Sequence, residues 1–256
     1  MQLIVERLSH TYRSGQSVEV LQDISFQTGS GHFLAIVGPS GCGKTTLLKL
    51  MAGALPVQSG AVSRRGDSNN GDSGGTLLVR QEHALFPWMT ALDNACFGLK
   101  MRGVARTERE QRALELFERF GLRGFDRAFP HQLSAGMKQR VALIRAFVSR
   151  PAMLLMDEPF AALDPPTRSA LHQELLTLCA RWTEVGVVFV THDVDEAIAL
   201  SDRVLVFSRR PASIVADVKV PMPRPRTERL FLDPSAIALK AELLGALHAE
   251  FQESRA

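Results

Sequence analysis

Short apolar runs of strand length alternate with helix-like stretches along most of this chain. Strand patterns cover residues 2–8 and 19–26, and residues 33–37 (FLAIV) are apolar at every position, as expected of a strand buried on both faces. A glycine-rich turn and an apolar helix over residues 44–52 follow directly, and Gly53 is expected to end that helix. A strand, a glycine turn and a helix together predict the first unit of an α/β fold.

The same alternation returns in the second half of the chain, after a segment over residues 90–150 that is predicted to be mainly helical. In that segment Thr107 and Glu110 have the spacing of a capping box at the start of a helix. Asp164, followed by Pro165, predicts another helix start. Strands that alternate with helices indicate a mostly parallel sheet with covered faces. The strands predicted here cover residues 76–80, 152–156, 186–190 and 203–207.

Two stretches are predicted to lack regular structure. Residues 63–75 contain only Ser, Arg, Gly, Asp and Asn, which predicts an exposed and mobile loop. The prolines from Pro211 to Pro225 predict a linker, which an amphipathic helix follows from about residue 234. The resulting division is a domain over 1–230, with a helical subdomain inserted at about 90–150, and a C-terminal helical tail over 231–256.

Composition and charge exclude several classes of protein. The chain has 30 Lys and Arg against 27 Asp and Glu, a net charge of +3, which does not favour a nucleic-acid partner. No window approaches the ~18 apolar residues of a membrane helix, and the first ten residues lack the pattern of a secretory signal. The three widely spaced cysteines suit a reducing compartment. Residues 203–229 carry seven basic and two acidic side chains, which suits either a solvated segment or a contact with a membrane surface or a partner.

The clearest chemical motif follows the strand at 33–37. Residues 38–45, GPSGCGKT, match the G-x-x-x-x-G-K-[ST] phosphate loop. Its glycines allow backbone N–H groups to surround phosphates, Lys44 supplies a positive charge toward the β- and γ-phosphates, and the Thr45 hydroxyl is suited to ligate Mg²⁺. The residues predicted to bind nucleotide here are Gly38, Pro39, Ser40, Gly41, Cys42, Gly43, Lys44, Thr45 and Thr46.

A pair of carboxylates ends a second apolar strand. In the sequence MLLMDEP over residues 153–159, Asp157 is expected to hold Mg²⁺ and Glu158 to polarise the attacking water. Together with the phosphate loop, this pair predicts a P-loop nucleoside triphosphatase. A GTPase is not favoured because the chain has no Asn-Lys-x-Asp guanine-binding string.

Further strings resemble the motifs of ABC-type ATPases. Residues 133–140, LSAGMKQR, resemble the LSGGQ signature, with Ala135 in place of its first glycine. Gln81 resembles the Q-loop glutamine, residues 161–164 resemble the D-loop, and His192 resembles the switch histidine. The resemblance covers about residues 3–207. It implies an α/β fold: a P-loop NTPase core with a mostly parallel sheet, an N-terminal antiparallel β subdomain and a helical insertion that carries the signature.

The resemblance also implies a role for each motif. ATP is the implied nucleotide, and Tyr12 is expected to stack on its adenine ring. The implied catalytic residues are Glu158, His192 and Gln81, and the implied Mg²⁺ ligands are Thr45, Gln81 and Asp157. The phosphates already lie in the chain's own loop, so the signature is expected to contact the ATP of a second copy in a head-to-tail dimer. The residues expected at that second nucleotide are Ser134, Ala135, Gly136 and Asp164.

The biological role depends on the partners of such an ATPase. The cluster Leu85-Phe86-Pro87-Trp88 suits either local core packing or a groove for a helix of a membrane permease. This cluster and its neighbours are similar to those of nitrate, sulfonate and taurine importers. That similarity implies uptake of a small anion at the cytoplasmic face of the inner membrane, with permease subunits and, indirectly, a periplasmic or surface solute-binding protein. The alternative is a soluble, non-transport ABC ATPase or a weakly hydrolysing regulator. The transported solute is not predicted.

Overall fold

The computed structural model describes residues 1–14, 16–66, 74–82, 84–161, 163–181, 184–224, 226 and 228–252. The strands are β1 (Gln2–Ser14), β2 (Gln16–Gly29), β3 (Phe33–Val37), β4 (Ser59–Arg65), β5 (Gly74–Val79), β6 (Pro151–Asp157), β7 (Gly186–Val190), β8 (Arg203–Phe207) and β9 (Ile214–Lys219). The helices are α1 (Lys44–Met51), α2 (Ala91–Met101), α3 (Arg106–Arg119), α4 (Ala135–Phe147), α5 (Pro165–Arg181), α6 (Val194–Leu200) and α7 (Pro234–Gln252).

The strands form two sheets. A three-stranded antiparallel sheet has the order β2-β1-β4, and a six-stranded sheet has the order β5-β6-β7-β3-β8-β9. In the larger sheet every neighbouring pair is parallel except β8 and β9. The predicted α/β fold, with a mostly parallel sheet and an antiparallel N-terminal sheet, is therefore confirmed.

The larger sheet is buried on both faces, which explains the uninterrupted apolar sequence of its inner strands. In β3, Leu34 and Ile36 pack with α1 and the smaller sheet, whereas Phe33, Ala35 and Val37 join the core beneath the other helices. Side chains of a strand alternate between its two faces, so each face takes every second residue. Of the described helices, none has the length and apolarity needed to cross a membrane.

Helices α2, α3 and α4 lie within residues 90–150, as predicted, and α7 begins at the predicted Pro234. The predicted start of α3 is wrong by two positions. The helix begins after Ala105, which provides no side-chain cap, and no capping box forms at Thr107. The Glu110 carboxylate instead accepts a hydrogen bond from Arg106 at 2.7 Å, one helical turn away. The domain boundaries at 230 and 231 stay predictions.

Parts of three strands lie where irregular structure was expected. Strand β4 extends to Arg65 and β5 begins at Gly74, so the mobile-loop prediction for 63–75 is wrong at both ends, while 67–73 lie outside the described residues. Strand β9 occupies part of the predicted linker. Both β4 and β9 are edge strands of their sheets, where pairing through the backbone does not require an apolar side chain at each position. The short helix α6, capped by Asp193, was also not predicted.

Candidate functional site

The phosphate loop connects β3 to α1 at the edge of the sheet where the parallel strands end. Two of its glycines are required by close approaches of neighbouring strands. A Cβ atom at Gly38 would lie 2.9 Å from the Cβ atom of Phe207, and one at Gly43 would lie 2.7 Å from Cγ1 of Val20. Gly43 also has a φ of 127°, which L-residues rarely adopt. The loop therefore fits closely between β8 and β2.

Lys44 is the buried cation of this loop, at 6% exposure. Its Nζ donates hydrogen bonds to the carbonyl oxygens of Gly38 at 2.7 Å and Pro39 at 2.9 Å. No acidic residue lies in the first turn of α1, so the helix N-terminus adds its positive partial charge without an opposing side chain. The arrangement favours a polyphosphate.

Thr45 and Asp157 meet beside the loop. The Thr45 hydroxyl donates to Oδ1 of Asp157 at 3.1 Å, and the carboxylate is largely buried at the end of β6. Burial raises the pKa of Asp157, and the hydrogen bond from Thr45 opposes that increase. Hydroxyl and carboxylate oxygens are ligands that Mg²⁺ accepts, so the pair fits this metal. No cluster of three or more His, Cys, Asp or Glu side chains suited to a metal occurs in the described ranges, so phosphate and water oxygens would complete its shell.

Two predicted catalytic side chains, Gln81 and His192, approach one carboxylate oxygen of the third, Glu158. Gln81 Nε2 donates to Oε2 of Glu158 at 3.3 Å, and Nδ1 of His192 lies 3.7 Å from the same oxygen. Glu158 has a φ of +47°, a strained backbone conformation for a non-glycine residue. Its backbone N–H donates to the carbonyl of Val190 at 3.0 Å, which ties the strained residue to β7. The sheet thus brings together groups that are 77 and 34 residues apart in the chain.

A cleft of about 470 Å³ connects the predicted adenine, phosphate and catalytic residues. Tyr12, at 38% exposure, forms one wall, and its hydroxyl lies 3.3 Å from Oγ1 of Thr46. The ring of His10 packs edge-on against Tyr12, with 4.8 Å between ring centroids. The lining residues are Tyr12, Val18, Val20, Ser40, Gly41, Gly43, Lys44, Thr45, Thr46, Gln81, Glu158 and Arg210.

Arg210 is a cleft residue that the sequence did not reveal, because it lies within the basic segment 203–229 that had no assigned role. Its guanidinium reaches the loop, where Nε donates to the carbonyl oxygen of Gly41 at 3.1 Å. Burial raises the pKa of Cys42, and the positive charges of Lys44 and Arg210 both oppose that increase. No feature of the sequence around Arg210 indicates that its guanidinium reaches the loop.

The signature residues lie elsewhere on the surface. Ser134 caps α4 by accepting a hydrogen bond from the N–H of Met137 at 3.2 Å, and Ala135 and Gly136 form the first turn. Asp164 caps α5 by accepting from the N–H of Thr167 at 3.1 Å, and this bond lowers the pKa of Asp164. None of these predicted nucleotide contacts lines the cleft of its own chain.

The apolar cluster at 85–88 divides between core and surface. Phe86 packs on Phe97 of α2, with 4.6 Å between ring centroids, whereas the side chain of Trp88 is 70% exposed. The fully buried amide of Asn94 fixes the backbone of this loop. It accepts from the N–H of Phe86 at 2.7 Å, and its Nδ2 donates to the carbonyls of Phe86, Met89 and Thr90 at 2.9–3.1 Å.

Comparisons with known proteins point to one family. Residues 21–161 match the ABC transporter family model. The chain is 40% identical to the taurine import ATP-binding protein of Chromobacterium violaceum, over 97% of this chain and 96% of that one. It is 37% identical to the nitrate import ATP-binding protein of Synechocystis, over 94% and 92%. Among solved structures, the dimeric ATP-binding cassette MJ0796 bound to ADP and Pi matches with a TM-score of 0.76 and 28% identity, covering 86% of this chain and all of that one.

Proposed function

This chain belongs to the ABC transporter family of ATP-binding proteins and is an ATPase, and from that premise we propose that it energises the import of a small anion. The observation that carries this proposal is the similarity, over almost the whole chain, to taurine and nitrate import ATP-binding proteins. Sulfonate, taurine and nitrate are the solutes that we propose for the transporter. The chain itself is proposed to bind only ATP, Mg²⁺ and partner subunits.

Nucleotide binding is proposed to begin at the adenine ring, which stacks on Tyr12 and needs no base-specific hydrogen bonds. The phosphates then lie along the glycine loop and the N-terminus of α1. The ammonium group of Lys44 would exchange the carbonyls of Gly38 and Pro39 for phosphate oxygens, which are stronger acceptors because they are charged. This exchange replaces loop contacts with substrate contacts.

Hydrolysis is proposed to depend on the cluster around Glu158. Its carboxylate would orient and polarise a water molecule for attack on the γ-phosphorus. Gln81 donates a hydrogen bond to this carboxylate, His192 lies 3.7 Å from the same oxygen, and His192 would stabilise the transferred phosphoryl group. Thr45, Asp157 and Gln81 would hold Mg²⁺, which when bound neutralises charge on the phosphate oxygens.

The signature residues are proposed to complete the site of a second copy. Ser134, Ala135 and Asp164 are all exposed and lie outside their own cleft. A capped helix N-terminus is a suitable contact for a γ-phosphate. In a head-to-tail dimer, each of two ATP molecules would therefore lie between the phosphate loop of one copy and the signature helix of the other. The dimeric ABC cassette structures that match this chain support the arrangement. The methyl group of Ala135 is expected to be tolerated.

The membrane partner is proposed to contact the surface around Trp88. This exposed indole belongs to the loop that Asn94 holds in place, and Gln81 of the catalytic cluster precedes that loop in the chain. The proposed partners are integral permease subunits at the cytoplasmic face of the membrane. A solute-binding protein would join the complex from the other side of the membrane, without touching this chain.

A mixing experiment tests the shared site. Lys44→Ala removes the chain's own phosphate contact, and Ser134→Arg obstructs the signature, so each variant alone should be inactive. Mixing them regenerates one intact site only if the two motifs act in trans, and ATP hydrolysis should then recover. Absence of recovery at every mixing ratio would contradict the shared site.

Glu158→Gln should bind ATP and accumulate a dimer on size-exclusion chromatography, while Glu115→Gln, at an exposed position on α3, should behave as wild type.

Reconstitution with permease subunits tests the transport function. The purified complex in liposomes, with ATP and solute-binding protein supplied, should accumulate labelled taurine, an alkanesulfonate or nitrate. The same vesicles with the Glu158→Gln chain should not accumulate solute. A chain that hydrolyses ATP but never co-purifies with a membrane subunit would instead support the soluble ATPase alternative.

A further inference from the structure

The turn between β8 and β9, residues 208–213, reaches the phosphate loop from outside the motifs described above. From this turn Arg210 Nε donates to the carbonyl oxygen of Gly41 at 3.1 Å, and Nη2 donates to the same oxygen. The side chain is exposed and lines the nucleotide cleft. Within the part of the chain that is described, Arg210 forms no ion pair with a carboxylate, so its charge is available to the cleft.

Hydrogen bonds fix the backbone of this turn on both sides of Arg210. Ser208 Oγ accepts from the N–H of Ser213 at 2.8 Å, and the backbone N–H of Ser208 donates to the carbonyl of Ser213 at 3.0 Å. Ala212 continues the connection to β2, where its N–H donates to the carbonyl of Val20 at 2.9 Å. Val20 itself lines the cleft, so the turn links the wall beside the adenine site to the phosphate loop.

The contact with Gly41 has a direct consequence for phosphate binding. Gly41 has a φ of +75°, a backbone conformation that residues other than glycine rarely adopt. This conformation sets the direction of the carbonyl group of Gly41. A carbonyl oxygen turned toward a polyphosphate would repel it, whereas the guanidinium keeps this oxygen paired with a positive charge. Its two N–H groups on one oxygen also restrain rotation of the peptide, which a single ammonium group cannot do equally well.

We infer that Arg210 is a further positioning residue of the nucleotide site, which acts through Gly41 on the affinity for nucleoside di- and triphosphates. It holds the loop in the conformation that receives phosphates. Because this conformation is needed equally in the bound state and during hydrolysis, its loss should weaken binding without slowing the chemical step. The affinity for adenosine, which has no phosphate, should not change.

Three variants test the inference. Arg210→Gln removes both the positive charge and the paired guanidinium N–H donors, whereas Arg210→Lys retains the charge alone. Lys219→Gln is the control, because it removes one positive charge from an exposed position at the far end of the same pair of strands. Loss of a charge-assisted hydrogen bond predicts that Arg210→Gln raises the Kd for ATP and ADP about tenfold or more. The Kd for adenosine and kcat at saturating ATP should stay within about twofold of wild type. Lys219→Gln should match wild type throughout.

The outcomes distinguish a positioning role of Arg210 from an effect of its charge alone and from a loss of the fold. Arg210→Lys should weaken ATP binding nearly as much as Arg210→Gln, and full rescue by lysine would overturn the positioning role. Unchanged ATP affinity in Arg210→Gln would overturn it too, as would an equal loss for adenosine. Thermal unfolding of each variant checks the fold, and if the glutamine variant does not fold, the ATP-to-adenosine affinity ratio of Arg210→Lys decides the question.

Discussion

Replacement of Gly43 by alanine probes the fit of the phosphate loop between its neighbouring strands. The added Cβ atom would lie 2.7 Å from Cγ1 of Val20, 2.9 Å from Cδ2 of Leu21 and 3.1 Å from the carbonyl oxygen of Val20. The backbone would also keep a φ of 127°. Gly53, just beyond the other end of α1, is a matched control, because its φ is +73° and a Cβ there would meet nothing within 4 Å.

The two substitutions differ in cost for a reason that the structure makes explicit. A non-glycine residue in the left-handed region costs about 1–2 kcal/mol, which applies to Gly53→Ala, and Gly43→Ala incurs at least that strain because its φ of 127° lies farther from the αL minimum. Gly43→Ala adds an overpacking cost of about 1–3 kcal/mol, because Val20 and Leu21 belong to a packed core. Alanine reduces the entropy of the unfolded chain equally at both sites, so that contribution cancels in the comparison.

Urea unfolding followed by circular dichroism measures both variants. We expect Gly43→Ala to lose about 1–3 kcal/mol more than Gly53→Ala, seen as a lower midpoint at an unchanged m-value. ATP affinity should fall for Gly43→Ala, because Val20 also lines the cleft, and should persist for Gly53→Ala. Equal destabilisation of the two variants would refute the close fit of the loop against β2.

Three further predictions address the base, a loop and a thiol. Tyr12→Ala should weaken ATP binding by about 1–3 kcal/mol through lost stacking while Tyr12→Phe retains affinity, and isothermal titration would contradict this if both variants bind equally. Asn94→Leu leaves the N–H of Phe86 and the carbonyl of Met89 without their partner, whereas the carbonyls of Phe86 and Thr90 keep backbone N–H donors, so urea unfolding should show a loss of about 2–5 kcal/mol; a loss below 1 kcal/mol would count against the role of the amide. Burial raises the pKa of Cys42 above its ordinary value of 9.0. The rate of alkylation at Cys42, followed by mass spectrometry, should therefore be low at neutral pH and should still increase beyond pH 9. A rate that reaches its plateau near pH 8 would contradict this prediction.

The parts of the site that could be predicted from sequence are those in which one short segment carries its own chemistry. The phosphate loop is such a segment, since its glycines, Lys44 and Thr45 are adjacent and follow a buried strand. Asp157 and Glu158 form another, because they end an apolar strand of the same sheet. Inner strands were also predicted, since burial on both faces produces an unbroken apolar run.

Predictions were wrong for strands that are held by backbone pairing with a neighbouring strand and whose side chains do not show a strand pattern. Strand β4 consists of small and charged residues, yet it pairs with β1 along its length. Strand β9 pairs with β8 in a segment whose prolines indicated a linker. The backbone hydrogen bonds of an edge strand leave little trace in the side-chain pattern, so its sequence is ambiguous. The capping box at Thr107 failed because Arg106 was a nearer partner for Glu110.

The fold class, the family motifs and the chemistry available in each segment can be read from the sequence, because they depend on local order and on alternating burial. Which distant groups meet is visible only in the folded chain. The fold placed Gln81 and His192 beside one carboxylate oxygen of Glu158, kept Ser134 away from its own cleft, and brought Arg210 to the phosphate loop across 169 residues. The physical reason is that parallel strands end at a common edge of the sheet, and contacts across that edge have no counterpart in sequence spacing.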